Sequence, residues 1–298
     1  MVKRIWIVLL ALLLVGCSAK GGESSKPQAQ TIGLCVRNRA DAPAYYDAIE
    51  TAFADLGYAV VVEDCGNDQA RQDEKVAQLA SSCKLLVVEP VMVTALDSVI
   101  EAAKQANIPV LLFDREPERT VLDSYEQLYF VGVDLQSAGQ KQAALLDRLE
   151  NRGDLNGDGV VSCVILRGPE DHKDAQLITQ SCLDSLAGAQ ILECVPAQWT
   201  LEDARAQCAQ ALSRFGPDVE VILCNSPELT QGAVEAVRNG GWTPGQDLYV
   251  IGVGDVTEGV AAAVSLSQAE RVATLVRVAQ EALTGALSQK LTFVEYTS

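Results

Sequence analysis

The chain has 298 residues, 48% of them hydrophobic, and sets 23 Lys and Arg against 40 Asp and Glu for a formal net charge of -17. That length buries two cores of ordinary domain size without staples, and that charge repels nucleic acid and anionic membrane surfaces alike. The single histidine, His172, removes most Ser/His and Cys/His catalytic schemes and leaves little from which to build a zinc site.

The N-terminus reads MVKRIWIVLLALLLVGC, with Lys3 and Arg4 ahead of an apolar run from Ile5 to Val15 that is short for a membrane span. This is the pattern of an export signal. Its LVGC ending resembles the lipobox of bacterial lipoproteins, which implies loss of residues 1–16, acylation of Cys17 and anchoring to the membrane; an ordinary secreted protein with a chance cysteine is the alternative. Residues 17–30 are rich in Gly, Ser and Gln without apolar periodicity and read as a flexible tether. The cysteines beyond Cys17 permit disulfides in an exported chain without requiring them, because runs such as SCVIL and ILCN accept a thiol as a small hydrophobe.

From Thr31 the short apolar runs TIGLCV, YAVVVE, KLLVVEP, IPVLLF and LYFVGV are each followed by a segment of helical periodicity. After a boundary near Asp134 the alternation resumes with VVSCVIL, AQILECV, VEVILCN and LYVIGV, and closes on a long helix from about Gln268 to Leu287. Continuous apolar strands between helices predict parallel sheets covered on both faces. The fold class is α/β, as two doubly wound lobes of roughly five strands each.

Ligands in such folds bind beyond the carboxyl ends of the strands. The residues there include Asp41 after the first strand, Glu89 and Pro90 after the third, and Asp114, Arg115 and Glu116 after the fourth. The second half offers residues 167–174, Trp199, Asn225 to Pro227, and Gly254 with Asp255. GxSxG, GxxxxGK[ST] and HExxH are absent. The pair Asp114 and Glu116 suits structural or ligand contacts better than paired acid–base work. His172 and Asp174 either start a helix or present donors and acceptors to a polyhydroxylated ligand. Trp199 is either a lid over the core or a stacking platform for an apolar sugar face.

The stretch GDLNGDGVVSCVIL begins as a calcium loop, with Asp154, Asn156 and Asp158 at alternate positions, yet position twelve is Ile165 where a bidentate Glu belongs. A chance turn, a dockerin-like module and a site split between two segments all share that spacing. A dockerin-like module needs the missing acidic residue and a second copy.

Taken in order and spacing, FDREPERTVLDSYEQLYFVGVD, DLNGDG, RGPEDHKDA and AQW resemble the galactose/glucose-binding proteins that feed bacterial ABC sugar importers, over about Ile32 to Leu283. The resemblance implies a type I periplasmic binding protein, a non-enzymatic monomer whose lobes, joined by a three-crossing hinge, close on a galactose- or glucose-like monosaccharide or related polyol. It implies a first lobe of 31–132 plus about 268–288, and a second of 133–267 plus about 289–298. The partner implied is an ABC permease, or in a sensing alternative a chemoreceptor or sensor kinase. By position, sugar contacts fall on Asp41, Asp114, His172, Asp174, Trp199, Ser226, Asp255 and Ser267. A structural calcium ion falls on Asp154, Asn156, Asp158, the Val160 carbonyl and Ser162, with Glu220 as the bidentate carboxylate from a later strand.

The departures from that family are specific. Its sugar-gripping Arg, four residues after the counterpart of Asp174, is Ile178 here, which removes a rigid guanidinium fork. Asp114 replaces an Asn and cannot donate an N–H. The first-lobe stacking aromatic falls at Pro43, with Tyr45 or Tyr46 as substitutes, and Ser226, Pro227, Gly254 and Ser267 replace polar partners. The segment between Asp255 and Ser267 is also short for the family. These changes predict a ligand that differs from galactose or glucose or is held more weakly.

Overall fold

The computed structural model describes residues 30–298. Signal-peptide, tether and Cys17 expectations therefore lie outside the described residues, apart from Gln30.

Chain order in the first half is β1 (Thr31–Val36), α1 (Pro43–Asp55), β2 (Ala59–Asp64), α2 (Gln69–Ala80), β3 (Leu85–Val88), α3 (Asp97–Ala106), β4 (Val110–Phe113), α4 (Arg119–Asp123) and β5 (Leu128–Asp134). It continues with α5 (Leu135–Leu145), β6 (Val161–Arg167), α6 (Lys173–Ser185), β7 (Ala189–Pro196), α7 (Leu201–Phe215), β8 (Val221–Cys224), α8 (Pro227–Asn239), β9 (Tyr249–Val253), β10 (Ala262–Val264), α9 (Gln268–Thr284) and β11 (Leu291–Glu295). The strands form a six-stranded sheet of order β11-β5-β4-β3-β1-β2 and a five-stranded sheet of order β10-β9-β8-β6-β7. Every named pairing in both is parallel.

Parallel strands need both faces covered, and each sheet has an apolar cluster on either side. Leu34, Val36, Ile49, Phe53 and Leu275 lie on one face of the first sheet, and Leu86, Val88, Val99 and Phe130 on the other. Leu166, Ile222 and Leu229 against Ile165, Leu223 and Cys182 do the same for the second. Polar side chains start the helices where the strand ends hand over. Asp68, Asp134, Thr200, Ser226 and Ser267 each accept a hydrogen bond from a first-turn N–H of α2, α5, α7, α8 and α9. Gly139 lets α5 and α6 approach closely, since a Cβ there would stand 2.2 Å from the Ile178 carbonyl oxygen.

The expectation of about five strands per lobe holds for the second sheet; the first gains a sixth. β11 pairs with β5, with Leu291 against Phe130 and Glu295 against Asp134. The assignment of 289–298 to the second lobe is corrected accordingly: 291–295 complete the first sheet. Only the last residues reach across, where Thr297 exchanges backbone hydrogen bonds of 2.7 and 2.8 Å with Ser265 and the Tyr296 N–H donates to Ser137 Oγ at 3.0 Å. Helix α9 packs in the first lobe's core through Val272, Leu275 and Val276. The chain thus passes between the lobes after β5, before α9 and after β11.

Candidate functional site

A cavity of about 450 Å³ lies between the lobes at these crossings, and Asp114, His172, Asp174, Arg271, Phe293 and Tyr296 are among its walls. Asp114 reaches it because it follows β4 in the left-handed conformation, φ 62°, which Asp and Asn tolerate better than most residues. Its Oδ1 accepts hydrogen bonds from Arg271 Nη2 at 2.7 Å and Tyr45 Oη at 3.4 Å. The Arg271 guanidinium lies 4.1 Å from the Tyr45 ring centroid. The first-lobe floor is therefore a carboxylate, a guanidinium and an aromatic ring locked together, with Arg271 Nε buried and lacking a hydrogen-bond partner. Burial first, and then the Asp114 charge, pushes the Tyr45 phenol above its ordinary value. Burial likewise raises Tyr296, with Arg271 opposing and Asp174 adding to the shift, so these three groups share one electrostatic field.

On the second-lobe side, His172 is the N-cap residue of α6 without capping it through its side chain, which leaves the imidazole free to pack edge-on to Trp199 at 5.6 Å. Trp199 lies over Gly168, where a Cβ would come within 2.1 Å of the indole. It also packs on the second lobe's core. Of the two readings of Trp199, the structure shows the cover over the core; the indole also braces a cavity-lining histidine. An apolar flank runs beside the polar groups, with Phe293 42% exposed.

A sequence profile described as the periplasmic binding protein domain matches residues 38–285. The chain belongs to that family. It is 31% identical over 211 residues to the D-galactose/methyl-galactoside binding periplasmic protein MglB of Haemophilus influenzae, covering 68% of this chain and 62% of that protein's length. The ribose import binding protein RbsB of Bacillus subtilis is 24% identical over 265 residues, 83% of this chain and 78% of the relative. A solved structure from Mycobacterium smegmatis shares the fold with a TM-score of 0.76 at 20% identity, covering 91% of this chain and 90% of that one.

Among the positions expected to contact a ligand in this periplasmic binding protein, Asp114, His172 and Asp174 meet at the cavity. The others are engaged elsewhere. Asp41 is exposed in the short helical turn between β1 and α1 and accepts from Arg37 and from Asn38 Nδ2 at 2.6 Å. Ser226 and Ser267 cap helices. Asp255 is exposed in the loop after β9. Ile178 is buried in the second lobe's core. Sequence reasoning passed over Arg271 and Tyr296, because one lies on an amphipathic helix and the other in a terminal segment. The only available signal was their position beside the hinge.

The metal expectation concerns the loop before β6. Glu220 precedes β8, which neighbours β6, so the topology carries its carboxylate to the loop. Oε1 accepts from the N–H groups of Leu155 and Asn156 at 2.8 and 3.0 Å, and Oε2 from Ser162 at 2.8 Å, while the residue is 1% exposed. Asp154 accepts from Gly157 and Gly159, Asn156 from Asp158, and Asp158 from Val160, a ladder that holds oxygens at alternate positions. Among the described residues, no three His, Cys, Asp or Glu side chains converge closely enough to hold a metal. The donor chemistry nonetheless suits a hard cation, being all oxygen with one buried carboxylate. Also among the described residues, no helix is long and apolar enough to cross a membrane.

Proposed function

We propose that this periplasmic binding protein captures a monosaccharide or related polyol between its lobes and delivers it to an ABC permease from the outer face of the membrane, held there by a lipid on Cys17. The observation that carries the ligand class is the cavity itself. Asp114 and Asp174 offer acceptors, Arg271, His172 and the Tyr296 phenol offer donors, and Phe293 offers an apolar flank. Those are the contacts an uncharged polyhydroxylated ring requires. The names of the Haemophilus and Bacillus relatives, which specify galactosides and ribose, support the same class.

Because Arg271 and Asp114 neutralise one another, a neutral ligand adds no uncompensated charge to the floor. Closure is favoured only by hydrogen bonds that exist when both lobes touch the ligand. Calcium, in this proposal, is held by Asp154, Asn156, Asp158, the Val160 carbonyl, Ser162 and Glu220, and supplies a structural clip for the second lobe rather than a ligand contact.

The test is thermal shift and tryptophan fluorescence across pentoses, hexoses and cyclic polyols. A response that saturates and disappears in Asp174→Ala supports capture; flat curves for every compound at millimolar concentration refute it.

A further inference from the structure

Two thiols in the first lobe face one another in an arrangement the ligand cavity does not use. Cys35 and Cys65, 30 residues apart, place their sulfurs 3.3 Å from each other, and both residues are 0% exposed. Cys35 precedes the last residue of β1, Cys65 immediately follows β2, and the Cys65 N–H donates to the Val36 carbonyl at 3.0 Å, so the two positions are fixed by the sheet. The buried amide of Gln72 stands over the pair, with Nε2 at 3.8 Å from each sulfur and 2.8 Å from the Glu89 carbonyl. The other thiols of the described residues have no such partner at this distance.

We propose that Cys35 and Cys65 form a disulfide that clasps the carboxyl ends of β1 and β2. In the fold the hydrogen bond between the two sulfurs lowers the Cys65 thiol despite burial, and the same bond, followed by burial, raises Cys35. With a glutathione disulfide as oxidant, the Cys65 thiolate breaks its S–S bond, releases one glutathione thiolate and leaves a mixed disulfide. The Cys35 thiolate then attacks the Cys65 sulfur and releases the second glutathione, so one protein disulfide forms as one glutathione disulfide is reduced. Both sulfurs are closed to solvent in the fold, so the exchange takes place on the folding chain.

The clasp has a local consequence. Asn67 follows Cys65 and donates its N–H to the Arg37 carbonyl at 2.8 Å, while Arg37 Nη1 donates to Asn67 Oδ1 at 2.8 Å. Arg37 in turn holds Asp41 and the buried Glu89. A bond between the sulfurs fixes the loop that positions these groups at the carboxyl ends of β1 and β2.

The experiment refolds the full chain in a reduced/oxidised glutathione buffer and in a phosphine reductant, alkylates free thiols under denaturing conditions, and maps peptides by mass spectrometry. The expected result is a Cys35–Cys65-linked peptide in the oxidised sample alone, and a melting midpoint about 10 °C above the reduced one. Cys65→Ser should melt at the same temperature in both buffers. Full alkylation of both residues after oxidative refolding, or linkage of either to Cys83, overturns the proposal. Peptide mapping of the unsubstituted chain decides it even if the variant fails to fold.

Discussion

Glu220→Gln replaces one carboxylate oxygen with an NH₂ group at a site where both oxygens receive backbone N–H donors. If the amide oxygen stays with Leu155 and Asn156, the NH₂ faces the Ser162 N–H; if it turns, two donors in the loop lose their acceptor. The smaller loss is one hydrogen bond to a charged group, about 1.5–3 kcal/mol, together with a buried donor left facing a donor, about 1–3 kcal/mol. The expected destabilisation is therefore about 3 kcal/mol, and for a protein of this size it lowers the midpoint by about 6–12 °C. Calorimetry in calcium and in excess chelator separates two contributions. The unsubstituted protein should melt higher in calcium than in chelator, and the variant should lose most of that difference. A variant that melts with the parent in chelator would refute the anchoring role of Glu220. A parent indifferent to the chelator would refute the calcium clip while leaving the anchoring intact.

Arg271→Met should weaken ligand-induced fluorescence changes by tenfold or more and cost about 1–2 kcal/mol in urea unfolding. That figure is kept well below the cost of a fully buried pair because both partners are about a fifth exposed. Equal ligand affinity in the variant would remove Arg271 from the site. Gly168→Ala sets a methyl within 2.1 Å of the Trp199 ring, so the indole must move at a cost of about 1–3 kcal/mol, visible as a shifted emission maximum; an unchanged spectrum would contradict the packing. Stability should hold through neutral pH and fall as pH rises above 9. Burial pushes the Cys163, Cys182 and Cys208 thiols up to about 12, so they stay protonated when folded while the unfolded chain releases those protons. Tyr45, Tyr46 and Tyr296, raised from 10, extend the loss to higher pH, and urea midpoints between pH 7 and 11 that stay level would refute this.

Strands buried on both faces carry an unbroken apolar signal, which is why nine of them could be read in order from runs such as KLLVVEP and VEVILCN. β10 and β11 could not. Ala262–Val264 is too short to show any period, and Leu291–Glu295 lies where a C-terminal tail would be equally polar. Missing β11 moved a strand to the wrong lobe, because only the hydrogen bonds to β5 reveal which sheet it completes.

The site divides along the same line between local and non-local information. Asp114 follows β4 directly, His172 and Asp174 stand where the loop after β6 enters α6, and topology alone sends such positions to the cleft. Ser226 also follows a strand, yet its hydroxyl accepts from the Leu229 N–H at 3.2 Å and donates to Glu228 at 2.9 Å, so the helix it starts has claimed it. Arg271 illustrates the converse. In QAERVATLVRVAQ it has the spacing of a solvent-facing charge, and only the return of α9 to the first lobe brings it onto Tyr45 and Asp114, 157 residues away from the latter. In the proposed function, Arg271 supplies from the hinge helix the guanidinium that Ile178 cannot provide from α6. Arg271, Asp114 and Tyr45 all belong to the first lobe, so their mutual contacts should persist as the lobes close and present one fixed floor to His172 and Asp174 of the second lobe. Under the proposed function the cleft carries a relocated polar contact rather than a lost one, and a ligand selected differently from galactose or glucose is the expected consequence.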